Sequence, residues 1–202
     1  MNTRKRQALR RVAAFYDRRK VGDSGPLGFR RSTDLGVLAA CLEPLVDAGV
    51  VRPGRTLFLD LGCADGRLNV FFSYLSRCSA GIELDEWTLE EYAPLRSELD
   101  RALAREGLPL PPENIFLFHG DATEERVHQM LEQETGFPFE SFDLFYTYLV
   151  MHEEFAALVA EKARKGARLM VYGLGKILPR YAGLRLLDIS PLEGILAVYE
   201  KE

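Results

Sequence analysis

Four carboxylates fall where short apolar runs break. Asp60 nearly ends "TLFLDL" at 56–61 and Asp65 sits in the turn that follows. Glu83 nearly ends "SAGIEL" at 79–84, and Asp121 comes just after "NIFLFH" at 114–119. The turn itself reads Gly62-Cys63-Ala64-Asp65-Gly66, a G-x-x-x-G spacing. Glycine tolerates φ > 0 and lets a ligand approach the backbone. This is not the G-x-G-x-x-G spacing that cradles a pyrophosphate, and Asp65 would repel one. Acids here suit a ligand with a positive end and hydroxyls, with Asp60 facing an ammonium directly or through water. Glu83 lies about twenty residues past Gly62, the distance at which an acid meets ribose hydroxyls in nucleotide-binding units. Each charged hydrogen bond of that kind contributes roughly 1.5–3 kcal/mol. Asp121, in "HGDA", is placed to accept from an exocyclic amine such as adenine's, with Leu61, Ile82 and Leu84 walling an aromatic base. A plainer reading stands beside this one. Asp60 and Asp65 would cap the helix after Gly66, an outcome worth about 1 kcal/mol, and Asp121 would cap "ATEERVHQM".

These positions matter because of the elements around them. Strands are expected at 56–61, 79–84, 114–119, 143–149 and 167–173, with helical patterns at 66–77, 86–106, 122–134 and 152–165. Such alternation predicts an α/β fold, a doubly wound and mostly parallel sheet with helices on both faces. Sheets of this kind bind ligands outside the carboxyl ends of their strands, where the strand order reverses. The rhythm changes at the end: "LRLLDIS", a "PLEG" turn and "ILAVYEKE" read as an antiparallel hairpin closing one sheet edge. Upstream, residues 3–20 form an amphipathic pattern with Leu9, Val12, Ala13 and Tyr16 at i, i+3, i+4, i+7. A second helix is expected from an N-cap at Ser32 or Thr33 to about Gly49, bent at Pro44.

The bulk numbers fit one soluble globular core. The chain has 202 residues, 47% hydrophobic and 28% charged, with net charge −4. That charge argues against a whole-surface nucleic-acid binder. Cys41, Cys63 and Cys78 form no disulfide framework and no metal-ligand spacing, which suits a reducing, cytoplasmic setting. No apolar run reaches the ~18 residues of a membrane span, and no metal site is expected.

The segments "LFLDLGCADG", "AGIELD", "FHGDA" and "KARKGARLMVYG" together resemble the class I, seven-strand S-adenosylmethionine-dependent methyltransferases over roughly residues 32–200. The resemblance implies seven strands with an antiparallel last one, and S-adenosylmethionine as cofactor. It implies that Asp60, Gly62, Cys63, Ala64, Asp65 and Gly66 hold its methionine end. By position, Glu83 and Leu84 would meet the ribose and base, and Asp121 and Ala122 the adenine. One departure is Ala64, where the family usually carries glycine. A finer similarity, carried by Asp65, Gly66, Arg67, Glu83, Leu84 and Trp87, is to seven-strand protein lysine methyltransferases, including those acting on an ATP-synthase ring subunit. The best acceptor reading is therefore a protein lysine, with a small-molecule oxygen or nitrogen, or non-catalytic cofactor binding, as alternatives.

The acceptor side falls on "FYTYLVMHEE", which lacks the Asn/Asp-Pro-Pro-Tyr/Phe signature for methylating amino groups of nucleobases or glutamine. Tyr146 and Tyr148 share one strand face and would hold a cationic amine at ~0.5–2 kcal/mol. His152 is the candidate base for a hydroxyl acceptor, its plainer role being that of a helix-start residue. His119 is expected to be structural and His128 exposed. The basic segment 1–31 reads as a helix and hinge separate from a catalytic domain at 32–202, the helix acting first as a lid, with steering of an acidic partner or a solvated face as alternatives. Its Gly-rich link at 22–28 would flex, and Arg30 and Arg31 would meet an acidic substrate.

Overall fold

A computed structural model of the protein describes residues 2–19, 32–175 and 178–202. The strands are β1 (Leu57–Leu61), β2 (Cys78–Glu83), β3 (Ile115–His119), β4 (Leu144–Tyr148), β5 (Arg168–Tyr172), β6 (Leu184–Leu186) and β7 (Leu196–Lys201). They form one seven-stranded sheet in the order β3-β2-β1-β4-β5-β7-β6. Only β7 runs against its neighbours; β1 through β5 pair parallel. This is the expected architecture, and the first five strands agree with their expected limits to within one residue. The closing hairpin is shorter than expected. After β6, Ser190 turns the chain back, its Oγ accepting from Val198 N at 2.8 Å.

The helices are α1 (Thr3–Tyr16), α2 (Leu35–Asp47), α3 (Arg67–Ser73), α4 (Glu86–Glu90), α5 (Tyr92–Arg105), α6 (Glu125–Thr135) and α7 (His152–Lys162). Strand side chains alternate between two apolar layers. Phe58, Leu144, Tyr146, Met170 and Val198 pack with residues of α1, α2, α3 and α5. Leu57, Leu59, Phe145, Leu169, Val171 and Tyr199 pack with α6 and α7 on the other face.

Three helix expectations are corrected. The N-cap of α2 is Asp34, which accepts from Val37 N at 2.8 Å, not Ser32 or Thr33. Thr33 instead spends its hydroxyl on Tyr146 Oη. The single helix expected over 86–106 breaks at Glu91, because Pro94 lacks the N–H that would donate to the Glu90 carbonyl. His128 is buried, not exposed. Its Nε2 lies 2.8 Å from the Ala122 carbonyl and its ring stacks on Phe139 at 4.3 Å. Desolvation holds its pKa below the usual imidazole range.

The expected apolar stripe of α1 is its buried face: Leu9, Val12, Ala13 and Tyr16 all lie in the core. Arg4 donates to the Gly107 carbonyl at 2.7 Å and Arg11 to Glu106 at 2.6 Å, fixing the helix to the end of α5. Asp17, just past α1, accepts from Leu35 N and Gly36 N at 2.9 Å each and so helps cap α2. The hinge at 22–28 and Arg30 and Arg31 lie outside the described residues.

Candidate functional site

Strand order reverses between β1 and β4, so the carboxyl ends of these strands form the crevice where this architecture takes ligands. The turn after β1 is bolted to β2: Gly62 N and Cys63 N both donate to the Ile82 carbonyl, at 2.9 and 3.0 Å. Gly62 and Gly66 have φ of +92° and +69°. A Cβ on Gly66 would meet Leu117 and Tyr92 side-chain carbons at 2.8 Å, so glycine is required there. Ala64 takes a left-handed φ of +49° without being glycine.

The site's acids have distinct jobs. Asp60 is buried, and among the described residues its Oδ1 has no hydrogen-bond partner. Burial, reinforced by the charges of Glu83 and Asp65, pushes its pKa well above the carboxylate range. Glu83 holds the turn: Oε2 accepts from Ala64 N at 2.8 Å and Oε1 from Asp85 N at 2.9 Å. Each of its oxygens keeps a second lone pair for a ligand hydroxyl. Asp65 is fully buried and paired with Arg67, whose Nε and Nη2 lie 2.9 and 2.8 Å from its two oxygens. The Asp65 carboxylate is therefore committed within the protein, and the Arg67 guanidinium faces the Tyr16 ring at 5.4 Å. Cys63 is buried among Asp60, Glu83 and Asp65, and burial raises its thiol pKa.

Asp121 follows the tip of β3, where His119 pairs in register with Glu83. Its Oδ1 accepts from Thr123 N at 2.8 Å and Thr123 Oγ1 at 2.7 Å, and these bonds lower its pKa. It forms a local turn and does not cap α6, whose N-cap is Glu124. Ala122 is buried and its carbonyl is taken by His128. Leu61 and Ile82 are core residues at 1% exposure each, so they cannot wall a base, whereas Leu84 (65%) and Trp87 (81%) stand open at the tip of β2.

On the acceptor side, Tyr146 lies opposite Asp60 in the β1–β4 register and shares its face with Tyr148. Tyr146 is buried, and burial drives its pKa up. Tyr148 is half-buried and meets Tyr172 with ring centroids 5.7 Å apart. Beyond β4 come the exposed Leu149, Val150 and Met151, then His152. His152 bonds through Nδ1 to Tyr181 Oη at 2.5 Å.

The structure thus gathers Asp60, Gly62, Cys63, Ala64, Asp65, Gly66 and Glu83 into one neighbourhood. Leu84, Asp121 and Ala122 lie along the adjacent tips, and His152 lies across β4 with Tyr181. Sequence reasoning did not find Tyr181 or Gly81. At Gly81 there is no room for a side chain: a Cβ would come within 2.6 Å of Asn69 Oδ1 and 2.8 Å of Cys63 Sγ. An isolated glycine inside a strand pattern was the available signal. A groove of about 360 Å³ between α1 and α2, lined by Leu9, Leu42, Val46 and Pro53, belongs to a different part of the surface. Among the described residues no cluster of ligands suited to a metal occurs.

No known family's model matches the sequence, and no curated protein matches it. Solved structures do. The putative methyltransferase yhhF from Escherichia coli is 17% identical, over 91% of this chain and 97% of its own, with a TM-score of 0.53. A mutant of MtNAS in complex with S-adenosylmethionine is 12% identical, over 98% of this chain and 72% of its own, at 0.55. An RNA methyltransferase from Salinibacter ruber in complex with S-adenosyl-L-homocysteine is 16% identical, over 85% and 93%, at 0.50. By its strand order and these likenesses, the chain has the seven-strand methyltransferase fold.

Proposed function

We propose that the protein is an S-adenosylmethionine-dependent methyltransferase. The observation that carries this reading is Asp60 Oδ1, buried beside the glycine turn and next to Glu83 without a partner among the described residues. A buried unpaired carboxylate oxygen is costly, and an ammonium in the crevice, reached through a bridging water because Asp60 is buried, relieves that cost. The cofactor's amino group supplies one, its ribose offers hydroxyls to Glu83, and Asp121 Oδ2 remains for an adenine amine.

When bound, S-adenosylmethionine supplies a methyl group on a sulfonium, already activated for in-line displacement. The chain's contribution is to hold the two reactants in line, an effect worth roughly 7–11 kcal/mol of the barrier. Asp60 and Glu83 orient one reactant from the β1 and β2 tips. Tyr148, half-buried at the β4 tip and packed on the buried Tyr172, presents an aromatic ring suited to hold a cationic amine.

The acceptor reading is a protein lysine. It is supported by the Tyr148 ring and by the sequence pattern of Asp65, Gly66, Arg67, Glu83, Leu84 and Trp87. RNA is the second reading, supported by the exposed Arg4, Arg6 and Arg10 on α1. The Salinibacter ruber neighbour is named as an RNA methyltransferase.

The test is transfer of a labelled methyl group from S-adenosylmethionine into a cell lysate, with protein, RNA and small-molecule fractions counted separately. The expected result is label in protein, recovered as methyl-lysine after hydrolysis. Label confined to RNA or to small molecules would replace the lysine reading, and no protein-dependent label in any fraction would overturn the enzyme.

A further inference from the structure

We infer that Tyr181 locks His152 as a hydrogen-bond donor, so that its Nε2–H reads an oxygen of the methyl acceptor and the ring does not serve as a base. The role in acceptor recognition rests on the methyltransferase reading; the lock itself does not.

The geometry starts at Met151, whose left-handed φ of +57° turns the chain from the β4 tip into α7. His152 is the first residue of that helix. Its Nδ1 lies 2.5 Å from Tyr181 Oη, and the two rings meet edge to face at 5.7 Å. Tyr181 in turn rests edge to face on Tyr199 of β7 at 4.7 Å, a side chain 1% exposed. Tyr199 Oη donates to the Pro179 carbonyl at 2.9 Å. The Tyr181 hydroxyl is thus carried on a fixed aromatic stack anchored in the sheet.

The direction of the bond decides the chemistry. A phenol hydroxyl is a strong donor and a weak acceptor, because its lone pair is shared with the ring. Burial and the nearby Glu153 charge push the Tyr181 pKa up, so the proton stays on oxygen. Among the described residues the hydroxyl has no hydrogen-bond acceptor other than His152 Nδ1. The proton therefore goes to Nδ1. A neutral imidazole carries a single N–H, which places it on Nε2.

A ring nitrogen that already bears hydrogen cannot take a proton from the substrate. It can donate to an oxygen lone pair. Immediately before His152 in the chain come Leu149, Val150 and Met151, 38%, 71% and 46% exposed. The acceptor that fits offers a carbonyl or anionic oxygen toward His152 and an apolar body toward these three side chains. His152 neither gains nor loses a proton in the transfer, and the proton of the methylated group leaves to water.

The lock is tested by long-range nitrogen–proton NMR of the protein labelled at its three histidines, His152 being assigned by its absence in His152→Gln. The expected pattern is the Nε2–H tautomer for His152 in the wild type and a tautomer mixture in Tyr181→Phe. An Nδ1–H tautomer in the wild type would overturn the inference. The role is tested by labelled methyl transfer into lysate. His152→Ala is expected to lose about a hundredfold in rate, the scale of one lost orienting donor. His152→Gln, which keeps a donor near Nε2 and cannot act as a base, is expected to recover most of it. Folded, cofactor-binding Gln and Ala variants that are equally inactive would overturn the donor role. If the wild type transfers no label, the methyltransferase reading falls and the acceptor role falls with it, while the NMR result still decides the lock.

Discussion

At the scale of single residues, the site is a set of small conflicts that a ligand would resolve. Asp60 is the clearest. Its pKa is raised in the folded chain by burial and by Glu83 and Asp65. The folded state therefore holds that proton more tightly than the unfolded state does. The stability this contributes is present below the ordinary carboxylate range and is lost as pH rises above it. Asp60→Asn removes the penalty, so its melting temperature relative to wild type is expected to be higher at about pH 8 than at about pH 4.5. An offset independent of pH would contradict the assignment. Ala64 carries a second conflict, in its backbone. A left-handed alanine costs roughly 1–2 kcal/mol, partly offset by the freedom glycine adds to the unfolded chain. Ala64→Gly is thus expected to stabilise the protein by about 0.5–1 kcal/mol, read as a higher urea midpoint at unchanged slope; a lower midpoint would show that the turn is not strained. The family resemblance flagged Ala64 as a departure, and the strand-tip pattern flagged Asp60. Neither revealed that Asp65 is consumed by Arg67, because a pairing two residues apart in a turn depends on how that turn folds back.

Elements were legible where periodicity is strong and obscure where single side chains decide. The five parallel strands follow from short apolar runs bounded by turn residues, and α1 follows from its apolar stripe. The break at Glu91 turns on the missing N–H of Pro94, and the start of α2 on which of three adjacent polar residues is free to cap. Thr33 is not free, because Tyr146 claims its hydroxyl; that contact spans more than a hundred residues and no local pattern carries it. His128, expected on an exposed face, is buried for a similar reason. The Ala122 carbonyl offers a partner that makes its burial tolerable. Asp17 ties the end of α1 to the start of α2 through two backbone N–H groups. Asp17→Ala is expected to destabilise the fold by about 1–2 kcal/mol, as for the loss of a strong N-cap. Thermal unfolding measures this, and an unchanged midpoint would mean that Asp34 alone suffices.

For the whole molecule, the sheet order sets the crevice and the crevice collects the acids. Arg67 neutralises Asp65 and burial disfavours charge on Asp60, so the acidic character of this end of the sheet rests on Glu83 and Asp121 at the carboxyl ends of β2 and β3. That sign suits a cationic nucleoside and opposes a pyrophosphate. The central claim is therefore one of ligand choice, and titration calorimetry with S-adenosylmethionine and, separately, with NAD tests it most directly. The account predicts saturable binding of S-adenosylmethionine, weakened at least tenfold, about 1.4 kcal/mol, by Glu83→Ala. Binding of NAD alone, or an affinity for S-adenosylmethionine indifferent to that substitution, would contradict it.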